Sequence, residues 1–360
     1  MGYYDWVFVA PAPVWDELKD TKPIGGTHFA LIELTRALAR MGYTVAVYAN
    51  CGDNGGNVRE NLTYIPIKEF DYDGIACEWF VSQRQFGLAW DKINASKKFV
   101  WSQDNEIPDP QRDFERGLDG IVTASGFHRD MLVKQHNLDG SRVHVCYQPI
   151  DVRDYGGTHP LVPSQEGSEE NNLNSPSPLY KGGIYTSNPD RGLRNLLRIY
   201  PEIKKRIPEF VLRVYSGWMG YRSPSGERFT ASESDKRMKD MIPMLTGTEG
   251  IEWNRGAGQV ELIGAYKQTG LFLYPTEFIE AGCCSFIQAC ASGCVPVVTN
   301  TGVFPEYKAL CNEVVISDIE GFSDSVEFAC EQYDTLSRSV REWALETFDV
   351  DRIAFQWARI

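Results

Sequence analysis

Residues 270–300 read GLFLYPTEFIEAGCCSFIQACASGCVPVVTN, and this stretch decides the fold class. It opens with a short apolar run that is typical of a buried strand, and it continues into a polar loop, EFIEAGCCS. A helix is predicted to begin near Phe286, and the second apolar run, VPVVTN, predicts another strand. Strand, helix and strand in this order are typical of a parallel βαβ unit.

The same alternation runs through the rest of the chain. WVFVAP at 6–11, a helical pattern at 25–42 and YTVAVYA at 43–49 predict the first βαβ unit, and the pattern restarts with GIYTS at 183–187. The chain is therefore predicted to be an α/β protein with two Rossmann-like domains that face each other. A ligand is expected in the cleft between them, at the carboxyl ends of the strands.

A change in composition predicts the domain boundaries. Residues 151–182 are rich in Pro, Gly, Ser, Asn and Glu and have few periodic apolar positions, which predicts a linker. The N-terminal domain is predicted over 1–150 and the C-terminal domain over 183–340. A final helix is predicted over 341–360.

Charge and hydropathy argue against two classes of protein. The net charge of −13 argues against a nucleic-acid partner, because phosphate contacts require clustered Lys and Arg. No window reaches the roughly 18 uninterrupted apolar residues of a membrane span. The N-terminal MGYYDWVFVAPAP fits a first strand better than a signal peptide. We therefore expect a soluble, cytoplasmic protein without a transmembrane segment.

Four of the nine cysteines crowd into one segment: Cys283, Cys284, Cys290 and Cys294. A metal site is one interpretation of this cluster. The chain lacks paired CxxC motifs, however, and the neighbours of these cysteines are small or apolar. Packing thiols are therefore favoured over metal ligands.

Two helix starts at strand ends carry candidate ligand-binding groups. Gly25 and Gly26 let the backbone approach a phosphate or sugar oxygen, although a flexible turn is the alternative. Arg191, followed by Gly192, offers a forked cation to a diphosphate leaving group, and its alternative is a solvated surface arginine.

The stretch 270–300 carries the largest group of candidates. Glu277 and Glu280 lie on its loop, Ser285 lies at the start of its helix, and Gln288 lies just inside the helix. Carboxylates accept hydrogen bonds from sugar hydroxyls, and a polar side chain on the helix can hold a ribose diol.

Glu280, the small-residue helix ending at Gly293 and the exit through Pro296 and Val297 resemble a known pattern. It is the pattern of the GT-B-fold retaining glycosyltransferases of family four (glycosyl transferases group 1). There, a glutamate, seven residues and a second glutamate precede a helix that ends in Gly-x-Pro-Val. Gln288 stands where the second glutamate is usual. Other motifs similar to the family's are Gly25-Gly26, Arg191-Gly192, TNTGVFPE at 299–306, and Ser125 with His128 in TASGFHRDML.

The resemblance implies a GT-B fold whose final helix crosses back to the N-terminal domain; a helix that caps the second domain is the alternative. It implies a glycosyltransferase that moves a sugar from a nucleotide-sugar donor to a hydroxyl of a glycan or other acceptor. Transfer would retain the anomeric configuration and need no metal or cofactor. The implied catalytic residues are Glu280 and Arg191. The implied donor-binding residues are Gly25, Gly26, Ser187, Gly192, Arg255, Ala281, Gly282, Cys283, Ser285 and Gln288. The implied acceptor-side residues are Gln103, Asp104, Ser125 and His128.

The chain departs from the family at two further places. Gln103 and Asp104 occupy a segment where the family often has a histidine. Thr186 and Ser187 stand where a second cation is common, so Ser187 or Arg255 is expected to assist at the diphosphate.

Some alternatives stay open. His128 is equally compatible with a surface position at a helix start. A related sugar-nucleotide epimerase or phosphorylase, or a nucleotide-sugar-binding protein that has lost catalysis, would carry a similar sequence.

Overall fold

The computed structural model describes residues 3–15, 18, 22–52, 55–156, 181–217, 236 and 238–360. Most of the predicted linker, residues 157–180, lies outside the described residues. In the described part of the chain, no helix is long and apolar enough to cross a membrane.

The first sheet has eight strands in the order β3-β4-β2-β1-β5-β6-β7-β8, and only the edge strand β3 runs antiparallel to its neighbour. The strands are β1 (Tyr4–Ala10), β2 (Val45–Ala49), β3 (Gly56–Arg59), β4 (Leu62–Pro66), β5 (Ala76–Gln83), β6 (Asn94–Trp101), β7 (Gly120–Thr123) and β8 (Val143–Val145).

The second sheet has six parallel strands in the order β11-β10-β9-β12-β13-β14. They are β9 (Gly182–Tyr185), β10 (Val211–Tyr215), β11 (Ile251–Asn254), β12 (Leu271–Tyr274), β13 (Val295–Thr299) and β14 (Val315–Ser317). The strand order reverses between β9 and β12, and such a reversal opens a crevice at the carboxyl ends of the two strands.

Eleven α-helices lie within the described residues. They are α1 (Gly26–Arg40), α2 (Gln111–Glu115), α3 (Gly126–His136), α4 (Leu193–Arg206), α5 (Ile242–Gly247), α6 (Gln259–Lys267), α7 (Cys284–Ala291), α8 (Phe304–Leu310), α9 (Phe322–Glu331), α10 (Tyr333–Thr347) and α11 (Val350–Trp357). The prediction that α7 begins near Phe286 is wrong by two residues. The carbonyl of Cys283 already accepts the N–H of Ile287, so the first turn closes earlier.

Apolar side chains on both faces of the first sheet hold its helices. Along β1, Trp6 and Phe8 enter one core and Val7 and Val9 enter another, because successive side chains of a strand point to opposite faces. A third core surrounds the second sheet. The predicted α/β architecture with two Rossmann-like domains is confirmed.

The final segment, 341–360, divides between two helices. Residues up to Thr347 continue α10, which packs against α7 of the second domain. Only α11 returns to the first domain, where Trp357 is fully buried with its ring 5.1 Å from that of Trp101 and 6.4 Å from that of Trp6. The predicted return of the final helix is therefore confirmed, although the crossing begins only after Thr347.

Candidate active site

Arg191 and Glu280 form an ion pair at the reversal of strand order in the second sheet. Arg191 lies in the turn after β9, and Glu280 lies in the loop after β12. The Arg191 Nη1 and Glu280 Oε1 atoms are 2.9 Å apart, and the two side chains are 26% and 10% exposed. Both residues were predicted to be catalytic, and the fold brings them together from positions 89 residues apart in sequence.

Tyr274, the last residue of β12, donates a hydrogen bond of 2.7 Å to the same oxygen, Glu280 Oε1. Burial and then the Glu280 charge hold the pKa of Tyr274 well above its usual value, so the phenol stays protonated and remains a donor. The Tyr274 hydroxyl lies 3.0 Å from Ser187 Oγ, which places this predicted donor-side residue next to the ion pair.

Arg191 stays charged although it is largely enclosed. Burial, the largest single influence, lowers its pKa, but Glu280, Tyr274 and Asp190 together raise it by more and the net shift is upward. The guanidinium carbon also lies 3.3 Å from the centre of the Phe278 ring, a cation–π contact. Arg191 Nε is buried and has no hydrogen-bond partner among the described residues, so one donor remains unused.

Gly192 allows the turn that carries Arg191. Its φ is +102°, in the left-handed region, and a Cβ atom there would lie 2.5 Å from the carbonyl oxygen of Pro275. A side chain at position 192 would therefore collide with the backbone of the loop after β12. Gly192 was predicted to contact the donor, and the conformation of this turn requires a glycine there independently of any ligand.

Ser285 and Gln288 lie on α7, and both make hydrogen bonds within the second domain. Ser285 Oγ donates to the carbonyl of Thr186 at 2.9 Å. The Gln288 side chain is buried and its amide nitrogen donates to Gln259 Oε1 at 2.5 Å. The Gln288 amide, which was predicted to hold the ribose, is thus hydrogen-bonded to Gln259.

Arg255 was expected to assist Arg191 at the diphosphate. It follows β11, where its guanidinium carbon lies 4.5 Å from the centre of the Trp253 ring, and the Trp253 indole donates to the Ser216 carbonyl. The assistance stays a prediction.

The predicted glycine loop touches the second domain directly. A Cβ atom at Gly26 would lie 2.9 Å from both Cβ and Sγ of Cys284, whose thiol donates to the carbonyl of Gly26 and to Gln148 Oε1. At Gly25 the nearest atoms to such a Cβ are 4.0 Å away. The space at Gly26 is filled by protein, whereas Gly25 leaves room at the helix start.

The loop residues Ala281, Gly282 and Cys283 connect the candidate catalytic pair to the first domain. A Cβ atom at Gly282 would lie 2.9 Å from the Cβ of Ala124, and the carbonyl of Ala281 accepts a 2.5 Å hydrogen bond from Ser125 Oγ. Ser125 is fully buried. Predicted on the acceptor side, it lies at the contact between the domains.

The four clustered cysteines are buried in the core of the second domain, and burial raises the pKa of each thiol. Within the described parts of the chain, no three His, Cys, Asp or Glu side chains are grouped as metal ligands would be.

His128 and Asp104 meet at the carboxyl edge of the first sheet. His128 Nε2 lies 3.0 Å from the backbone oxygen of Asp104, and its ring is fully buried, so the surface alternative for His128 is wrong. Burial lowers the pKa of His128, which favours the neutral ring. Arg84 forms two hydrogen bonds of 2.7 and 2.6 Å with the Asp104 carboxylate.

Gln103 lies beside these groups, and its Oε1 accepts from Gln83 at 3.2 Å while its Nε2 has no partner among the described residues. Asn105, two residues on, donates to the backbone oxygen of Ile279, next to Glu280. The predicted acceptor-side segment therefore reaches the loop of the candidate catalytic pair.

Sequence reasoning missed several residues of this site. Tyr274 and Phe278 carried no motif, since aromatic residues in strands and loops are usually packing residues. Arg84 and Asn105 carried no motif either. The glutamate of TNTGVFPE, Glu306, was quoted only as part of a similar loop.

Comparisons with known proteins agree with this architecture. A glycosyltransferase from Rickettsia africae is similar with a TM-score of 0.69 and 14% identity, over 100% of this chain and 98% of its own. A sucrose-phosphate synthase from Thermosynechococcus elongatus gives a TM-score of 0.68 at 12% identity, over 99% and 98%. The Anabaena protein HepE, solved in complex with UDP and glucose, gives 0.65 at 10% identity, over 99% and 98%.

No family model matches the chain, and no curated protein matches it by sequence. At these identities the structural likeness defines the fold: two Rossmann-like domains with a returning final helix, the GT-B fold. The expected fold class is confirmed.

Proposed function

We propose that this protein is a glycosyltransferase that moves a sugar from a nucleotide-sugar donor to an acceptor hydroxyl, with retention of the anomeric configuration and without a metal ion. The observation that carries the proposal is the Arg191–Glu280 pair at the reversal of strand order in a GT-B fold. Ligands of open α/β sheets bind at such reversals.

Arg191 has the chemistry that a departing nucleoside diphosphate requires. A guanidinium carries five N–H donors, and in the structure one of its terminal nitrogens is bound to Glu280, while Nε makes no hydrogen bond within the described residues and lies 4.0 Å from Asp190 Oδ1. Phosphate oxygens accept such donors in bidentate fashion, and their charge grows as the sugar leaves. This fixed positive charge supports transfer without a divalent cation.

Glu280 can bind the hydroxyl groups of the donor sugar. Tyr274 and Arg191 both bind Oε1, and Oε2 has no hydrogen bond to the described residues. A carboxylate oxygen accepts hydrogen bonds from hydroxyl groups, which fits a donor sugar placed beside the diphosphate.

The likeness to HepE, solved with UDP and glucose, supports a search that begins with uridine donors. A thermal-shift panel of UDP-, GDP- and ADP-sugars is the first experiment, because a ligand that binds only the folded state raises the apparent melting temperature. Release of free nucleoside diphosphate that depends on an acceptor, and that persists in EDTA, then tests metal-independent transfer. Product anomeric configuration, read by NMR, tests retention.

Two substitutions test the site. Arg191→Ala and Glu280→Gln should each lower kcat about 100-fold or more, because each removes a group that stabilises charge or position in the transition state. Arg338→Ala and Glu320→Gln are the matched controls, since both residues are exposed. Wild-type turnover in either site variant would refute the catalytic role of that residue.

Two outcomes favour other functions. A protein that binds a donor of the panel but neither transfers nor slowly hydrolyses its sugar would be a binding protein. The Gln288–Gln259 hydrogen bond, at the position where the family usually has a glutamate, favours this alternative. Diphosphate release that is as fast without an acceptor as with one would favour an epimerase.

A further inference from the structure

Glu306 joins the two domains. This residue of α8 in the second domain accepts hydrogen bonds from the backbone N–H groups of Gly126 (3.1 Å to Oε1) and Phe127 (2.5 Å to Oε2), the first two residues of α3 in the first domain. The Tyr147 hydroxyl donates to Oε1 at 2.8 Å. Nearly 180 residues of chain separate the two sides of this contact.

In this contact the N-terminus of α3 binds the Glu306 carboxylate. The first N–H groups of a helix have no partner inside the helix, and the helix dipole favours negative charge there. Ser125 accepts the N–H of His128, and Glu306 accepts the two that precede it. At Gly126 a Cβ atom would lie 3.2 Å from Glu306 Oε2, so the glycine leaves room for the carboxylate.

The residues just before α8 also contact the backbone of Glu280. The N–H of Val303 donates to the carbonyl of Glu280 at 2.9 Å. Gly302 has φ +57°, and a Cβ atom there would lie 2.5 Å from the Glu280 nitrogen. The loop that leads to Glu306 therefore lies directly on the backbone of the candidate catalytic glutamate.

These contacts close a ring. From Glu280 the chain leads to Ala281, whose carbonyl accepts from Ser125 of the first domain. Ser125 precedes Gly126, which donates to Glu306, and Glu306 lies on the same helical segment as Val303, which donates back to Glu280. Two links of the ring cross between the domains, so the ring exists only when the domains are in contact.

We propose that Glu306 is a positioning residue that fixes the Glu280 loop to the first domain through the start of α3. Docking of α3 on Glu306 completes the ring and places Glu280 against the acceptor side of the cleft. The kinetic part of this inference rests on the proposed glycosyltransferase function, whereas the contact between domains does not.

Glu306→Gln tests the role with little change in shape. The amide nitrogen that replaces one carboxylate oxygen cannot accept from a helix N–H, and the charge is lost. We expect kcat to fall at least about tenfold, because hydrogen bonds to a charged group stabilise the docked state by this order. The donor KM should rise less than in Arg191→Ala, since Arg191, the proposed diphosphate ligand, is untouched.

Hydrogen exchange gives a second readout that needs no substrate. In Glu306→Gln the amides of Gly126 and Phe127 should exchange at least about tenfold faster, while core amides of β12 keep their rates. Tyr147→Phe, which removes one donor to Glu306, should change kcat and exchange in the same direction but less. Glu320→Gln, at an exposed position of the same domain, should match wild type.

Wild-type exchange at 126 and 127 in Glu306→Gln would overturn the contact. Wild-type kcat, or a rise in donor KM as large as that of Arg191→Ala, would overturn the positioning role. A wild-type protein that binds no nucleotide-sugar would instead refute the proposed function, and the exchange experiment would still decide whether Glu306 joins the domains.

Discussion

Arg191 shows at the scale of one residue why an arginine suits this position. Its charge faces Glu280, and its planar face lies on the Phe278 ring. A lysine could match the charge but not the flat stacking or the fork of donors. The residue beside it, Gly192, is constrained just as strongly, by backbone conformation.

Substitution of Gly192 should destabilise the protein. In Gly192→Ala the left-handed backbone costs about 1–2 kcal/mol, and the new Cβ would press on the Pro275 carbonyl, which adds to that cost. Gly264→Ala is the matched control, because Gly264 lies inside α6 with no atom within 4 Å of the new methyl group. That substitution should stabilise the protein by roughly 0.5–1 kcal/mol. Urea unfolding measures both, and equal stabilities of the two variants would contradict the strain at Gly192.

His128 should make stability fall in acid. Burial lowers its pKa in the folded protein, whereas the unfolded chain has the usual value of about 6.5. As the pH falls below about 6.5, the unfolded state takes up a proton first and the free energy of unfolding decreases.

His128→Gln should reduce this loss, measured by urea unfolding at pH 7.5 and at pH 5.5. Burial also lowers the pKa of His144, so part of the acid loss should remain in the variant. An acid loss as large in His128→Gln as in wild type would show that His128 is not its source.

At the scale of elements, α11 attaches the last segment of the chain to the first domain. It is only eight residues long, too short to be stable alone, and it is held by the apolar face that it buries against α1 and β1. Arg40 of α1 adds a 2.8 Å ion pair to Asp351.

Trp357→Ala should remove most of this attachment. The indole is fully buried against Trp6 and Trp101, and loss of a buried aromatic side chain costs about 3–5 kcal/mol. Phe355→Ala is the matched control on the same helix, because Phe355 is 47% exposed and its loss should cost within about 0.5 kcal/mol. The measurement is the free energy of unfolding, and similar losses in the two variants would argue that α11 does not anchor the first domain.

At the scale of the whole molecule, the segment where the chain leaves the first domain lies beside the segment where it returns. Ile150 and Asp349 form a parallel bridge, and backbone hydrogen bonds of 2.9 Å join Ile150 to Phe348 and to Val350. The two crossings are therefore held side by side. The ring through Glu306 and Glu280 is another contact between the domains.

Local patterns were enough to predict most of the fold. Alternating apolar runs and helical spacing indicated two α/β domains, and they are present as two sheets of eight and six strands. The loop with Glu280 and the turn with Arg191 could be predicted as candidate sites because both follow strands and precede helices. The first turn of α7 was placed two residues late, since no capping side chain marks its start.

Contacts between distant residues could not be predicted in this way. The ion pair between Arg191 and Glu280 joins groups that follow different strands. The contact of Cys284 with Gly26 and the hydrogen bonds from the start of α3 to Glu306 join groups from different domains. Periodicity and turn signals report on one or two turns of chain, and they carry no information on which loops meet across a cleft.

The sequence by itself determined the class of the fold, the order of its elements and the residue types available at the strand ends. Only the tertiary structure decided which of these residues meet: that Arg191 is neutralised by Glu280, that His128 is buried, and that Glu306 reaches the other domain. The physical reason is that element formation depends on neighbours along the chain. Ion pairing, burial and helix capping between domains depend on the order of strands and the closure of the cleft.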